Sequence, residues 1–121
     1  MEPSFRFEKL EVWQKSIQLA GVVYGVTKGF PTDERFGLTV QLRRAAVSVS
    51  ANIAEGSGRG SNRDFARFVD HAYGSCMEVV SELVLAVNLG YASPADAEVV
   101  RTQAAAISAM LTGLKKHLLS A

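Results

Sequence analysis

Gln41-Leu-Arg-Arg-Ala-Ala-Val-Ser-Val-Ser-Ala-Asn-Ile-Ala-Glu-Gly56 is the stretch that decides the fold of this chain. At helical spacing Gln41, Arg44, Ser48, Asn52 and Glu55 step by 3, 4, 4 and 3 and so share a face. Leu38, Leu42, Ala45, Val49 and Ile53 make an apolar stripe beside them. A narrow polar ladder next to small and apolar residues predicts a helix packed in a helical assembly, with a polar seam along one contact.

Working outward, only Pro3, Pro31 and Pro94 interrupt the chain, and none falls inside a helical pattern. The first helix is expected from about Lys9 to Lys28, stopping at Gly29-Phe30-Pro31. Asp33 and Glu34 put negative charge at the start of a second helix that runs to Glu55, with Gly37 as a kink in its first turn. Gly56, Gly58 and Gly60 break the chain, and Ser61 with Asp64 resembles a capping box that opens a third helix ending near Leu89, with Gly90 at C′. Ser93 as N-cap and Pro94 at N1 restart a fourth helix that reaches about Leu118. Short connections favour antiparallel neighbours, so the expected fold is all-α: one domain over residues 1–121, an up-down-up-down four-helix bundle.

Helix four supplies a seam at Val100, Ala104, Ile107, Leu111, Leu114 and Leu118, and helix three one at Phe65, Phe68, Ala72, Cys76, Val79 or Val80, Leu83 and Val87. Helix one carries two stripes. Leu10, Trp13, Ile17, Ala20 and Tyr24 form one; Val12, Leu19, Val23, Val26 and Phe30 form the other, with centres roughly 130° apart. A four-helix core buries one such stripe, and an apolar strip left outside marks a partner surface. The second stripe is therefore expected to join copies of the chain.

Composition bounds the function. Of 121 residues 48% are apolar and 21% charged, and 13 Lys and Arg against 12 Asp and Glu leave a net charge of +1, so no bulk field draws the chain to nucleic acid or anionic lipid. Cys76 is the only cysteine, which excludes an intrachain disulfide. Met1 to Lys9 carries both signs of charge and lacks the apolar centre of a signal peptide. Val79 to Leu89, interrupted by Glu82 and Asn88, falls short of the roughly 20 apolar residues that cross a bilayer. A cytoplasmic protein without membrane contact is expected.

The polar ladder has a counterpart on helix three in Ser75, Glu78 and Glu82. In antiparallel register Gln41, Arg44, Ser48, Asn52, Glu55, Ser75, Glu78 and Glu82 form a structural network, with Arg44 paired to Glu78. The competing chemistry is a carboxylate site of Glu55, Glu78 and Glu82 holding a metal or moving protons. Ferritin-like metal bundles, however, use Glu-x-x-His pairs, and three residues before His71 and His117 stand Phe68 and Leu114. Gly56-Ser-Gly-Arg-Gly-Ser61 follows a helix and lacks the Gly-Lys-Ser/Thr ending of a phosphate loop. The helix after it nonetheless offers free amides with Arg59, Arg63 and Arg67 along one side, the best local candidate for an anion or nucleic acid. Cys76, between Ala72 and Val80 on the seam, reads as a small core residue, and Lys115, Lys116 and His117 complement a helix C-terminus. No catalytic set, cofactor motif or metal-ligand spacing emerges.

Phe7-Glu-Lys-Leu10-Glu-Val-Trp13, Phe30-Pro31, Glu34-Arg-Phe-Gly-Leu38, Gln41-Leu-Arg-Arg-Ala-Ala-Val-Ser48, Asn52-Ile-Ala-Glu-Gly56, Phe65, Phe68, Gly74-Ser75, Glu78, Glu82 and Leu89-Gly-Tyr91 together resemble one bacterial family. It comprises four-helix-bundle proteins encoded in intervening sequences of 23S ribosomal RNA genes, and the accessory variability proteins of diversity-generating retroelements are similar. The resemblance implies an antiparallel bundle, commonly assembled as a ring-like pentamer, with no established enzymatic activity. For the retroelement branch it implies binding of RNA and reverse transcriptase through basic outer surfaces, from which this chain's near-zero net charge departs. Two expectations follow: a non-enzymatic homo-oligomeric scaffold or adaptor, or an RNA-binding accessory protein whose basic patch is multiplied by oligomerisation.

Overall fold

The computed structural model describes residues 5–120. Residues 1–4, Pro3 among them, on which part of the N-terminal expectation rests, and Ala121 lie outside them. Four helices, α1 (Glu11–Thr27), α2 (Leu38–Ser57), α3 (Asn62–Asn88) and α4 (Pro94–Ser120), are joined by short connections, with 3-10 turns at Arg6–Lys9 and Thr32–Glu34. Each helix packs on its neighbours in sequence, and α4 closes onto α1. This is the expected all-α four-helix bundle.

The helix ends follow local chemistry. Ser61 Oγ accepts the Asp64 amide at 3.0 Å and Ser93 Oγ the Asp96 amide at 3.1 Å, which caps α3 and α4. The Ser61 cap is half a capping box, since the Asp64 carboxylate turns outward to arginines. Gly90, at φ 78°, ends α3 in a Schellman motif: Tyr91 N–H donates to Ala86 O at 2.8 Å and Gly90 N–H to Val87 O at 3.0 Å. The start of α2 lies later than expected. Thr32–Glu34 forms a separate turn, and α2 begins after Gly37, where the Leu38 amide donates to Glu34 Oε1 at 2.9 Å. Gly37 thus precedes the helix rather than kinking it; a Cβ there would sit 2.7 Å from that same oxygen.

The expected seams of α2, α3 and α4 point inward. Leu42, Val49, Ile53, Phe65, Val79, Leu83, Val100, Ile107 and Leu111 are fully buried. Helix one corrects an expectation. Val12, Leu19, Val23 and Phe30 are buried within the protomer, and Val26 is half-buried against the same core, so this stripe is not an interface between copies. Ile17 (45% exposed) and Tyr24 (42%), from the other stripe, face outward.

Two hydroxyls explain the reversal. Ser16 and Thr27 are buried, their Oγ atoms donating to Val12 O at 2.7 Å and Val23 O at 2.8 Å. Val12, Ser16, Leu19, Val23 and Thr27 then form a continuous inward seam in steps of 4, 3, 4 and 4. Among the described residues no helix is long and apolar enough to cross a membrane.

Candidate functional site: the grooves flanking α2

Small residues bring α2 and α3 together. A Cβ on Gly56 would lie 2.7 Å from both Phe65 Cδ1 and Phe68 Cβ, so the glycine permits the close approach. Further along the contact the Ser48 and Ser75 hydroxyls share a hydrogen bond at 2.8 Å, while Asn52 Nδ2 donates to Ser48 O at 2.8 Å and Ser48 Oγ at 2.9 Å. Ser48, Asn52 and Ser75 are therefore the hydrogen-bonded part of the eight-residue network expected from sequence.

The others are arranged differently. Gln41, Arg44, Glu78 and Glu82 line one groove of about 420 Å3 between α2 and α3, whereas Glu55 is exposed and outside it. Arg44 does not pair with Glu78: among the described residues the ion pairs within 4 Å are Arg59–Asp64, Arg67–Asp64 and Lys115–Asp70. Arg44 faces the same groove as Glu78, about 40° around α2 from Ser48, without closing to ion-pair distance. Glu82 Oε2 is buried without a hydrogen-bond partner, and burial, then the neighbouring Glu78 charge, pushes its carboxyl above the ordinary value. Among the described residues no three His, Cys, Asp or Glu side chains converge as a metal site.

A second groove, which shares Arg44 and Ser48 with the first, is a feature that sequence reasoning missed. A groove of about 600 Å3 between α1 and α2 is lined by Arg35, Arg43 and Arg44 with Tyr24, Val40, Val47 and Ala51, and by no carboxylate. Arg43 is fixed there: its Nε donates to Thr27 Oγ1 at 2.8 Å and its guanidinium lies 4.6 Å from the Tyr24 ring centroid. The signal was present in the sequence, because Val40, Arg44, Val47 and Ala51 step by 4, 3 and 4 on the face opposite the core stripe.

The expected basic patch is largely neutralised. Arg59 Nε meets Asp64 Oδ2 at 2.7 Å, and Arg67 Nε and NH2 meet Oδ1 at 3.0 and 2.9 Å. Hydrogen bonds from Arg59 and then Arg67 hold the Asp64 carboxyl below its ordinary value. Both guanidiniums also lie near the Phe68 ring, at 5.1 and 4.9 Å, while Arg63 is exposed and has no ion pair within 4 Å among the described residues. Cys76 is buried, with its thiol pushed above the ordinary value by burial and partly offset by the Ser108 hydroxyl, in keeping with a core residue.

At one end of the bundle several motif residues meet. The Tyr91 hydroxyl donates to Glu34 Oε2 at 3.2 Å, and the Phe30 and Tyr91 ring centroids lie 5.8 Å apart. The connection after α1 is thereby clasped to the connection after α3.

Helix order, the Ser48–Asn52–Ser75 contact and this clasp together define a four-helix bundle held at its α2–α3 contact and at one end. The chain belongs to the family of 23S rRNA-intervening sequence proteins, whose pattern matches residues 8–113. No curated protein matches it. Among solved structures it is similar to a protein of unknown function from the S23 ribosomal protein family of Bacteroides thetaiotaomicron, with a TM-score of 0.80 and 24% identity over 87% of this chain and 98% of that one. That likeness carries the fold.

Proposed function

We propose that the chain is a non-enzymatic, self-assembling bundle that acts as an oligomeric scaffold or adaptor, with five copies as the number implied by the family resemblance. The observation that carries this is the outward placement of large apolar side chains. Ile17 and Tyr24 on α1 are exposed, Tyr24 sharing a groove with the exposed Val47 of α2, and Met77, Val84, Leu85 and Leu89 are exposed along the C-terminal half of α3 and its end. Single exposed apolar residues are ordinary, but several along one helix mark an association surface. The carboxylates that an acid–base or metal reading would need are divided, Glu55 standing apart from Glu78 and Glu82.

Light-scattering mass on the purified protein, recorded with its ultraviolet absorbance ratio, tests this reading. The expected result is a discrete multiple of 13.0 kDa without nucleic-acid absorbance. A monomer at micromolar concentration would reject assembly. Co-purified nucleic acid, lost steeply with salt, would favour the RNA-binding accessory role instead.

A further inference from the structure

We infer that the α1–α2 groove binds a small soluble phosphate monoester with a compact apolar body. This goes beyond the assembly reading and leaves to assembly the exposed apolar residues of α3.

The charge of the groove points to an anion. Arg35, Arg43 and Arg44 line it, no carboxylate does, and none of the three is in an ion pair within 4 Å among the described residues. Three like charges around one groove repel one another, and a bound dianion turns that repulsion into attraction. The acidic residues just before α2, Asp33 and Glu34, are not part of the lining. Glu34 is engaged elsewhere, Oε1 accepting from the Leu38 amide and Oε2 from the Tyr91 hydroxyl. Arg44 also borders the groove that holds Glu78 and Glu82, but pairs with neither.

Two side chains are prepared for such a ligand. Arg43 is fixed through its Nε on Thr27 Oγ1 and by its position over Tyr24, which leaves its terminal nitrogens to meet an oxyanion. Thr39 is an independent sign. It is 8% exposed, it lines the groove, and its hydroxyl has no hydrogen-bond partner among the described residues. Hydroxyls this buried are ordinarily paired, and a phosphate oxygen in the groove supplies the missing acceptor.

The groove is polarised along its length. The three cations and Thr39 fall within residues 35–44, whereas Val47 and Ala51 line the other end. At 1.5 Å per residue Arg44 to Ala51 spans about 10 Å, enough for two fused aromatic rings or a short alkyl chain. Its volume of about 600 Å3 is that of a small-molecule pocket. A phosphate held at the arginine end therefore lays an apolar body over Val47 and Ala51. Inorganic phosphate leaves that end wet, the paired acyl chains of a bilayer lipid overrun it, and a nucleic-acid backbone sets sugars against it.

Calorimetric titration of the purified full chain with 1-naphthyl phosphate, 1-naphthol and inorganic phosphate tests the site. The ester is expected to bind at least about tenfold more tightly than either fragment, since charged and apolar contacts add. Arg44→Gln should weaken the ester about tenfold, and Thr39→Val, which breaks no internal hydrogen bond, about threefold. Val47→Asn should weaken the ester and leave inorganic phosphate unchanged. Arg44 and Val47 are exposed, so these two variants keep the fold and decide the matter if Thr39→Val lowers helical circular dichroism.

An ester that binds no more tightly than inorganic phosphate, or that ignores both Arg44→Gln and Val47→Asn, would overturn the inference. Co-sedimentation with phosphatidic acid vesicles, abolished by Arg44→Gln, would also overturn it by making a membrane the source of the phosphate. An affinity that falls as protein concentration rises would give the groove to a neighbouring copy instead. A monomeric wild-type chain that still binds the ester would remove the assembly reading and support this one.

Discussion

At the scale of single residues, Gly56 and Glu82 separate packing from charge. The Gly56 Cα faces Phe65 and Phe68 with no room for a methyl group, so Gly56→Ala should destabilise the protein by roughly 1–3 kcal/mol through overpacking. Urea denaturation would read this as a lower midpoint with an unchanged slope. Glu82 acts through ionisation. Its folded-state carboxyl is raised above the ordinary value of 4.5, so the native state holds more protons than the unfolded chain between 4.5 and the raised value. Stability therefore falls as pH rises through that window, and the cost persists at neutral pH. Glu82→Gln should raise the melting temperature at pH 7, with the difference shrinking once the solution is more acidic than pH 4.5. The comparison belongs at concentrations where the chain is monomeric.

At the scale of elements, most of the bundle was legible in the sequence. Glycine and serine chemistry placed the connection from α2 to α3 and that from α3 to α4, and the apolar stripes of α2, α3 and α4 pointed inward as their spacing required. Helix one was misread because Ser16 and Thr27 look polar in sequence yet are buried with their hydroxyls satisfied by carbonyls one turn back. Counting apolar residues alone made two competing stripes from one regular seam. Arg44 lies on the α2–α3 groove with Gln41, Glu78 and Glu82 as the ladder requires, but forms no ion pair within 4 Å among the described residues. The arginine groove is harder to read, because its Val40–Arg44–Val47–Ala51 repeat lies on the far side of α2 from the core. A pair of substitutions checks the corrected orientation of α1. Leu19→Ala, at a fully buried site, should cost about 2–5 kcal/mol, whereas Ile17→Ala, at an exposed one, should stay within about 0.5 kcal/mol in the monomer. Thermal denaturation of both variants measures the contrast. Equal effects would return the two stripes to equal standing.

At the scale of the whole molecule, the core is complete within one chain, and what is left over lies on its outside. The polar and aromatic residues divide along that line. Gly56, Ser48, Asn52, Ser75, Phe30, Glu34 and Tyr91 hold helices and connections in place, whereas Arg44, Glu78 and Glu82 line a groove that opens to solvent, with no ion pair within 4 Å among the described residues. Function is consequently sought between molecules rather than inside one. The most direct measurement is light-scattering mass of the purified full chain across the micromolar range. A stable multiple of 13.0 kDa is the predicted result, and 13.0 kDa alone at every concentration would contradict the account.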